Sequence, residues 1–278
     1  MQKFKNCVAV ITGAGSGIGR QLAIQLADAG AHLALSDIDH ASLQHTHDLI
    51  QNNEINIQLA TLDVADREAV FAYAERVANE FGHVNLLFNN AGVALASGSL
   101  LNTSIEDFKW LMDINFYGVL YGCKAFLPIL QNAEWGNIIN VSSLFGLLAV
   151  ENQSAYNSSK FAVRGLTEAL RIELDAMDSH VSCTSVHPGG IKTNIAKLAR
   201  VGENATQELI TERNKAVKDF DKIAQTTAES AAQQILNAVL KNKKRVLIGP
   251  DAKVLDKIQR LFPTRYSSIF NWMINKLS

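Results

Sequence analysis

Cysteine, proline and net charge are what this 278-residue chain has least of: three cysteines, four prolines and a formal charge of −1. Cys7, Cys123 and Cys183 are widely spaced with no Cys-x-x-Cys, which excludes a disulfide scaffold and leaves reduced, structural thiols as the expectation. With 26 basic residues against 27 acidic ones, nothing global draws the chain onto a phosphate backbone, and no nucleic-acid partner is expected. Long hydrophobic runs are missing as well. The apolar stretch near the N-terminus meets glycine within a few residues, too soon for a signal-peptide core or a membrane span. A soluble, cytoplasmic protein is therefore expected, in which the triplet Asn102-Thr103-Ser104 carries no glycosylation meaning. No proline-rich linker, low-complexity tract or internal repeat interrupts the chain, which favours one domain.

What is present is apolar content of 47%, with 19% charged residues, too hydrophobic for a disordered or fibrous chain. A chain near 300 residues buries about 75% of its unfolded surface, so no metal or disulfide is needed to hold a core. Short apolar runs at 8–11, 33–35, 59–62, 86–88, 138–141, 181–186 and 246–248 read as buried strands. Between them lie helical patterns, such as 67–81, where Val70, Phe71, Ala74, Val77, Ala78 and Phe81 share a face. Ser104 to Asp107 and Thr226 to Glu229 fit capping signatures at helix starts. Alternating strand and helix predicts an α/β fold with a doubly wound, mostly parallel seven-stranded sheet covered on both faces. Residues 194–222, polar to amphipathic, and the tail from 251 to 278 fall outside this rhythm.

After the first strand comes Thr12-Gly13-Ala14-Gly15-Ser16-Gly17-Ile18-Gly19, leading into an apolar helix at 22–29. Strand, glycine turn and helix N-terminus together make an anion site, where backbone N–H groups approach a pyrophosphate and the helix dipole favours its charge. The pattern Gly-x-Gly-x-x-Gly is incomplete, since Ile18 takes its sixth position. Asp37, 18 residues beyond Gly19 at the end of the second strand, is placed to accept bonds from ribose hydroxyls. Its carboxylate would repel a 2′-phosphate, and neither Ser16 nor Ile38 compensates. NAD is favoured over NADP, with Arg20 the one nearby basic residue that speaks for the latter.

With these residues the chain resembles the short-chain dehydrogenase/reductase family over about its first 250 residues. Thr-Gly-x-x-x-Gly-x-Gly is matched by Thr12, Gly13, Gly17 and Gly19, and Asn-Asn-Ala-Gly by Asn89 to Gly92. Asn115 and Gly118 match Asn-x-x-Gly; Ser143, Tyr156 and Lys160 match the serine and Tyr-x-x-x-Lys pair; Pro188-Gly189 matches the turn after the sixth strand. The resemblance implies that Tyr156 exchanges a proton with the substrate oxygen while Ser143 hydrogen-bonds that oxygen. Lys160 would hold the nicotinamide ribose and Asn115 support a water-linked proton path. It implies cofactor contacts from Ser16, Ile18, Asp63, Val64, Asn90, Ala91, Gly92, Ile191 and Thr193, together with the glycines and Asp37 already named. Independently of any resemblance, Tyr156 and Lys160 are four apart and share a helical face. A free tyrosine has a pKa of about 10, and an adjacent ammonium would lower it toward the range of an acid/base catalyst.

Leu144, Phe145, Leu147 and Leu148 follow the serine, and Val93, Ala94 and Leu95 follow Gly92. In the family these segments border the substrate, and their apolar character suggests a hydrophobic alcohol or carbonyl compound, with Phe145 and Val93 as candidate contacts; some of them are equally readable as core. The segment 194–222 would be the mobile substrate loop. His187 reads as structural, Ser142 as facing away from Ser143, and His45 and His47, two apart on a helix, as an improbable metal pair; no metal is expected. The tail predicts a helical face from Val254, Leu255, Ile258, Leu261 and Phe262, then a cluster of Tyr266, Ile269, Phe270, Trp272, Met273 and Leu277. Packing is favoured for it, with Arg260, Arg265, Trp272 and Lys276 leaving a membrane-surface role open. The expectation is an NAD-dependent alcohol dehydrogenase or ketone reductase, a homodimer or homotetramer by resemblance. A dinucleotide-binding sensor or scaffold, and an epimerase or dehydratase on the same fold, are the alternatives.

Overall fold

The computed structural model describes residues 2–269. The chain runs through β1 (Val8–Thr12), α1 (Gly17–Asp28), β2 (His32–Asp37), α2 (His40–Asp48), β3 (Ile57–Thr61), α3 (Arg67–Phe81) and β4 (Leu86–Asn89). It continues with β5 (Leu95–Ala96), α4 (Ile105–Met112), a π-helical stretch (Asp113–Tyr117), α5 (Gly118–Leu130), β6 (Gly136–Val141), α6 (Ser154–Ala176) and β7 (Val181–Pro188). The last part holds β8 (Ile191–Lys192), β9 (Arg200–Val201), α7 (Gln207–Ile223), β10 (Thr226–Thr227), α8 (Ala228–Leu240), β11 (Arg245–Ile248) and α9 (Pro250–Leu261).

Side-chain alternation explains why the central strands are apolar throughout. In β1, Ala9 and Ile11 face the core under α1 and α8, while Val8 and Val10 face the core under α3, α5 and α6. Leu86 and Phe88 of β4 likewise point to the first core and Leu87 to the second. A strand buried on both faces has no polar side, and this is what parallel sheets demand. The seven strands lie in the order β11-β7-β6-β4-β1-β2-β3, each neighbouring pair parallel. The expected doubly wound α/β sheet is thus the one observed. Because β1 lies between β2 and β4, the winding reverses there, and the carboxyl ends of β1 and β4 open on a crevice.

Several boundaries follow local chemistry. Asp66 caps α3 by accepting from Ala69 N, and Gly82 ends it at φ 77°. The buried face of α3 differs in part from the expected one. Tyr73 is fully buried against Phe126, ring centroids 6.0 Å apart, whereas Phe71 is exposed. Ser104 caps α4 as expected, but α8 is capped by Thr227, which accepts from Ser230 N, one residue beyond the Thr226 spacing. α1 starts at Gly17, five residues before its apolar pattern, because glycines form its first turn. Cys7, Cys123 and Cys183 are free and buried, and burial raises their thiols, Cys7 to about 12 and Cys123 to about 11.

Residues 194–222 are not a loop throughout: β9 pairs with β5, and the stretch from Gln207 onward forms α7. In the tail, Leu255 packs inward with the buried Ala252, while Val254, Leu261 and Phe262 of the expected face are exposed. Phe270, Trp272, Met273, Lys276 and Leu277 lie outside the described residues. Among those described, no helix is long and apolar enough to cross a membrane. Phe126→Ala, which removes a fully buried ring from the core under α3 and α5, is expected to lower the unfolding free energy by about 3–5 kcal/mol in a urea titration.

Candidate active site

The glycine turn between β1 and α1 forms one wall of the crevice. Gly13 and Gly17 adopt φ values of 65° and 52°, the left-handed region open to glycine. A Cβ at Gly19 would collide with the Gly13 carbonyl oxygen and the Asn90 side chain, so only a bare backbone fits. Ser16 stands at the N-cap of α1, and its side chain makes no cap bond. Ile18 packs against the core behind the turn. The segment after β4 braces it: Asn90 Nδ2 donates to the Thr12 and Gly13 carbonyls at 3.0 and 3.1 Å, and Thr12 Oγ1 accepts from Ala91 N at 3.1 Å. Thr193, just after β8, lies across the crevice, its Cγ2 3.2 Å from where a Gly17 Cβ would be. Pro188 ends β7, Gly189 follows it, and Ile191 is buried.

Asp37 closes the turn from the β2 side, accepting from Gly15 N at 2.8 Å and from Asp39 N at 3.0 Å. Arg20 is committed elsewhere. Its guanidinium donates to the Gly15 carbonyl, to Thr46 Oγ1 at 3.0 Å and to the Ser42 carbonyl at 3.4 Å. Asp63 is exposed and accepts from Ala65 N, while Val64 is buried against Gly118.

Across the crevice, Ser142 and Ser143 directly follow β6, and α6 carries Tyr156 and Lys160. Ser142 Oγ turns inward to the Lys160 carbonyl at 2.8 Å, so Ser143 faces the opposite side. The Ser143 hydroxyl lies near that of Tyr156 and accepts from Phe145 N at 3.1 Å. Lys160 Nζ lies 5.6 Å from the Tyr156 ring centroid and donates to the Val141 carbonyl at 3.1 Å. Asn115, fully buried in the π-helical stretch, exchanges two bonds with the Val93 backbone at 2.8 and 2.9 Å. A Cβ at Gly92 would sit 3.2 Å from Asn115 Oδ1 and 3.3 Å from Lys160 Nζ, which brings the Asn-Asn-Ala-Gly segment, the π-helical stretch and α6 to one point.

Comparison with known proteins agrees with this arrangement. The sequence profile of the family described as short chain dehydrogenase matches residues 7–204. The Mycobacterium tuberculosis protein SadH, whose name assigns it to the oxidoreductases, is 45% identical over 270 residues, 97% of this chain and 95% of SadH. The chain belongs to the short-chain dehydrogenase/reductase family. A cyclohexanol dehydrogenase from Acinetobacter is 37% identical over 191 residues, 69% of this chain and 75% of that one. A short-chain dehydrogenase/reductase from Burkholderia phymatum, crystallised with NAD, superposes with a TM-score of 0.86 at 31% identity, covering 94% of this chain and 95% of its own.

In this short-chain dehydrogenase/reductase, burial dominates the electrostatics of the crevice. It pushes the Tyr156 hydroxyl above its ordinary value, with the nearby Ser143 hydroxyl opposing, and pulls Lys160 down to about 8. The expectation that Lys160 lowers Tyr156 is therefore corrected: both groups are desolvated, and the ammonium is directed at the Val141 carbonyl. His187 is structural, as expected. A carbonyl only accepts, so Nδ1 donates to the Ser143 carbonyl at 3.0 Å and Nε2 accepts from Ser185 Oγ at 2.9 Å. Burial holds it neutral by pulling it down to about 4.

The segments flanking the crevice separate into core and wall. Leu95, Leu144, Leu147 and Leu148 are buried in core clusters, whereas Val93 and Phe145 are half-buried. The Phe145 ring meets Tyr156 edge-on at 6.2 Å. Gly15 was read only as a member of the glycine run, and Thr46 was not singled out in the sequence. Gly15 supplies the N–H that Asp37 accepts, and buried Thr46 donates to the Ala14 carbonyl at 2.9 Å. A lone threonine on a helix gives no signal of this. Among the described residues no three or more His, Cys, Asp or Glu side chains are grouped so as to hold a metal ion.

Two outcomes follow. Gly19→Ala, forced against the Gly13 carbonyl, is expected to abolish dinucleotide binding in a fluorescence titration while far-UV circular dichroism is retained. Lys160 sheds its proton near pH 8 in the native chain but near its ordinary 10.5 when unfolded. Between these values the unfolded chain holds the extra proton, so this residue makes native stability rise with pH. The three buried thiols, raised from 9, act the opposite way above about pH 9, so Lys160 is read as a difference: between pH 8 and 10 the melting temperature of the native chain should gain on that of Lys160→Met.

Proposed function

We propose that this enzyme transfers a hydride between NAD(H) and a hydrophobic secondary alcohol or its ketone, or an alcohol and aldehyde pair, with Tyr156 as acid and base. One observation carries the reading: a half-buried Tyr156, beside Ser143 and one turn from Lys160, shares a crevice with a bare-backbone glycine turn.

The residues present suit a dinucleotide. Gly13, Ser16, Gly17, Ile18 and Gly19 would cradle the pyrophosphate with backbone N–H groups at the α1 N-terminus. Asp37, as an acceptor at the end of β2, favours ribose hydroxyls over a phosphate, and Arg20 is tied into α2 rather than free to bind one. Asp63 and Val64 would border the adenine, Asn90, Ala91 and Gly92 the middle of the cofactor, and Pro188, Gly189, Ile191 and Thr193 its carboxamide end. The bound nicotinamide supplies or accepts the hydride.

In reduction, Tyr156 donates its proton to the carbonyl oxygen while Ser143 donates a hydrogen bond to the same oxygen as its charge grows. In oxidation Tyr156 takes that proton back. Lys160, a turn away on α6, would hold the nicotinamide ribose. Asn115 fixes the Val93 backbone, and from there it would support the water-linked proton path. Val93 and Phe145 supply apolar walls, and the cyclohexanol dehydrogenase among the relatives supports a cyclic secondary alcohol as the first substrate to try. Reduced buried thiols fit a cytoplasmic enzyme, residues 1–250 are read as one catalytic domain with 251–278 as an extension, and a homodimer or homotetramer is the assembly proposed.

The test is a panel of cyclic, steroidal and long-chain alcohols with NAD and NADP in parallel. Turnover is expected with NAD and a hydrophobic secondary alcohol, and a preference for NADP would overturn the Asp37 argument. Tyr156→Phe is expected to lose at least about 1000-fold in kcat with NADH affinity within about twofold of the native protein. Because burial raises Tyr156, alcohol oxidation should speed up with rising pH, the phenolate being the base form.

A further inference from the structure

The C-terminal extension begins at Asp251, in the first turn of α9, and touches the crevice from behind at two places. Asp251 Oδ2 accepts from Gly190 N at 2.6 Å. A Cβ at Gly189 would collide with this carboxylate, so the turn after β7 is bare at the point where the acid enters. A helix N-terminus further favours a carboxylate there. At the other place, the Tyr266 hydroxyl accepts from Ala149 N at 3.1 Å and donates to the Ala149 carbonyl at 3.2 Å. Between the two clamps, Ala252, Leu255 and Tyr266 pack on Leu144, Leu147 and Leu148, the residues that follow Ser143. The two clamped segments are also joined to each other, by His187 Nδ1 donating to the Ser143 carbonyl.

We infer that Asp251 and Tyr266 are positioning residues for the reaction: Asp251 sets the 188–193 turn against the cofactor, and Tyr266 sets the Ser143–Ala149 wall against the substrate. The inference rests on the function proposed above. Its two halves make different demands on kinetics. A lost Asp251 clamp frees the turn that would meet the nicotinamide, so cofactor affinity falls first. A lost Tyr266 clamp frees the segment carrying Phe145, so substrate KM rises while cofactor affinity stays.

The experiment uses the full chain, with NADH titrated by fluorescence and cyclohexanol oxidation followed with NAD. Asp251→Ala is expected to raise the NADH Kd about tenfold, and Asp251→Asn, which keeps an acceptor of the same shape, to return it to within about threefold. Tyr266→Phe is expected to raise the alcohol KM about fivefold or more with the NADH Kd unchanged. Native Kd and kcat in Asp251→Ala, or a Tyr266→Phe variant that loses NADH affinity and alcohol KM alike, would overturn the inference. A merely structural role would lower both together with the melting temperature and show no rescue by asparagine. Native turnover in Tyr156→Phe would sink the proposed mechanism instead, while the Asp251 effect on NADH binding would stand.

Discussion

The Asn90 side chain, donating to two successive carbonyls at the end of β1, is the interaction on which the crevice depends. Parallel strands end in backbone groups with no ladder partner, and at a reversal of winding the helices leave those ends uncovered. Here the β4 side supplies the missing donors, so the glycine turn is held open without a side chain of its own. The turn can then stay bare, and a bare turn is what lets backbone N–H groups meet a large anion. A net charge of −1 is compatible with this, since the anion is held by oriented dipoles rather than by a basic surface.

The opposite wall follows a related logic with buried polar side chains. Lys160, Asn115 and Asn140 are buried, and each has named partners: Val141 O for Lys160, the Val93 backbone for Asn115, Asn89 and Thr167 for Asn140. Burial of an ammonium is costly, and a single carbonyl partner offsets only part of that. The depressed Lys160 and raised Tyr156 are two consequences of one dry site. In such a site electrostatic effects on a reacting oxygen are larger than in water.

Strand identity and order were legible because burial on both faces writes continuous apolar runs, and the helix at 67–81 because its period and its caps agree. The candidate site was legible through the resemblance and through short spacings, such as Tyr156 and Lys160 one turn apart on α6. What was not legible depended on distant partners. Tyr73, absent from the expected apolar face of α3, is covered by Phe126 from another helix. Thr46 and Gly15 gained their roles from contacts with Ala14 and Asp37 that no local pattern encodes. The direction of the Tyr156 shift was misjudged because sequence spacing reports a neighbouring charge but not the loss of water around it.

The pairing of β5 with β9 carries a consequence for how the crevice opens. Leu95 and Ala96, a few residues past Gly92, are bonded in register to Arg200 and Val201. Arg200 also reaches the buried Asp107 carboxylate at 3.2 Å and stacks over Trp110 at 4.8 Å. The stretch from 194 onward is thus stitched to the scaffold near its root. A segment pinned in this way has fewer conformations to lose, so ordering it over a guest would cost less chain entropy than ordering a free loop of the same length.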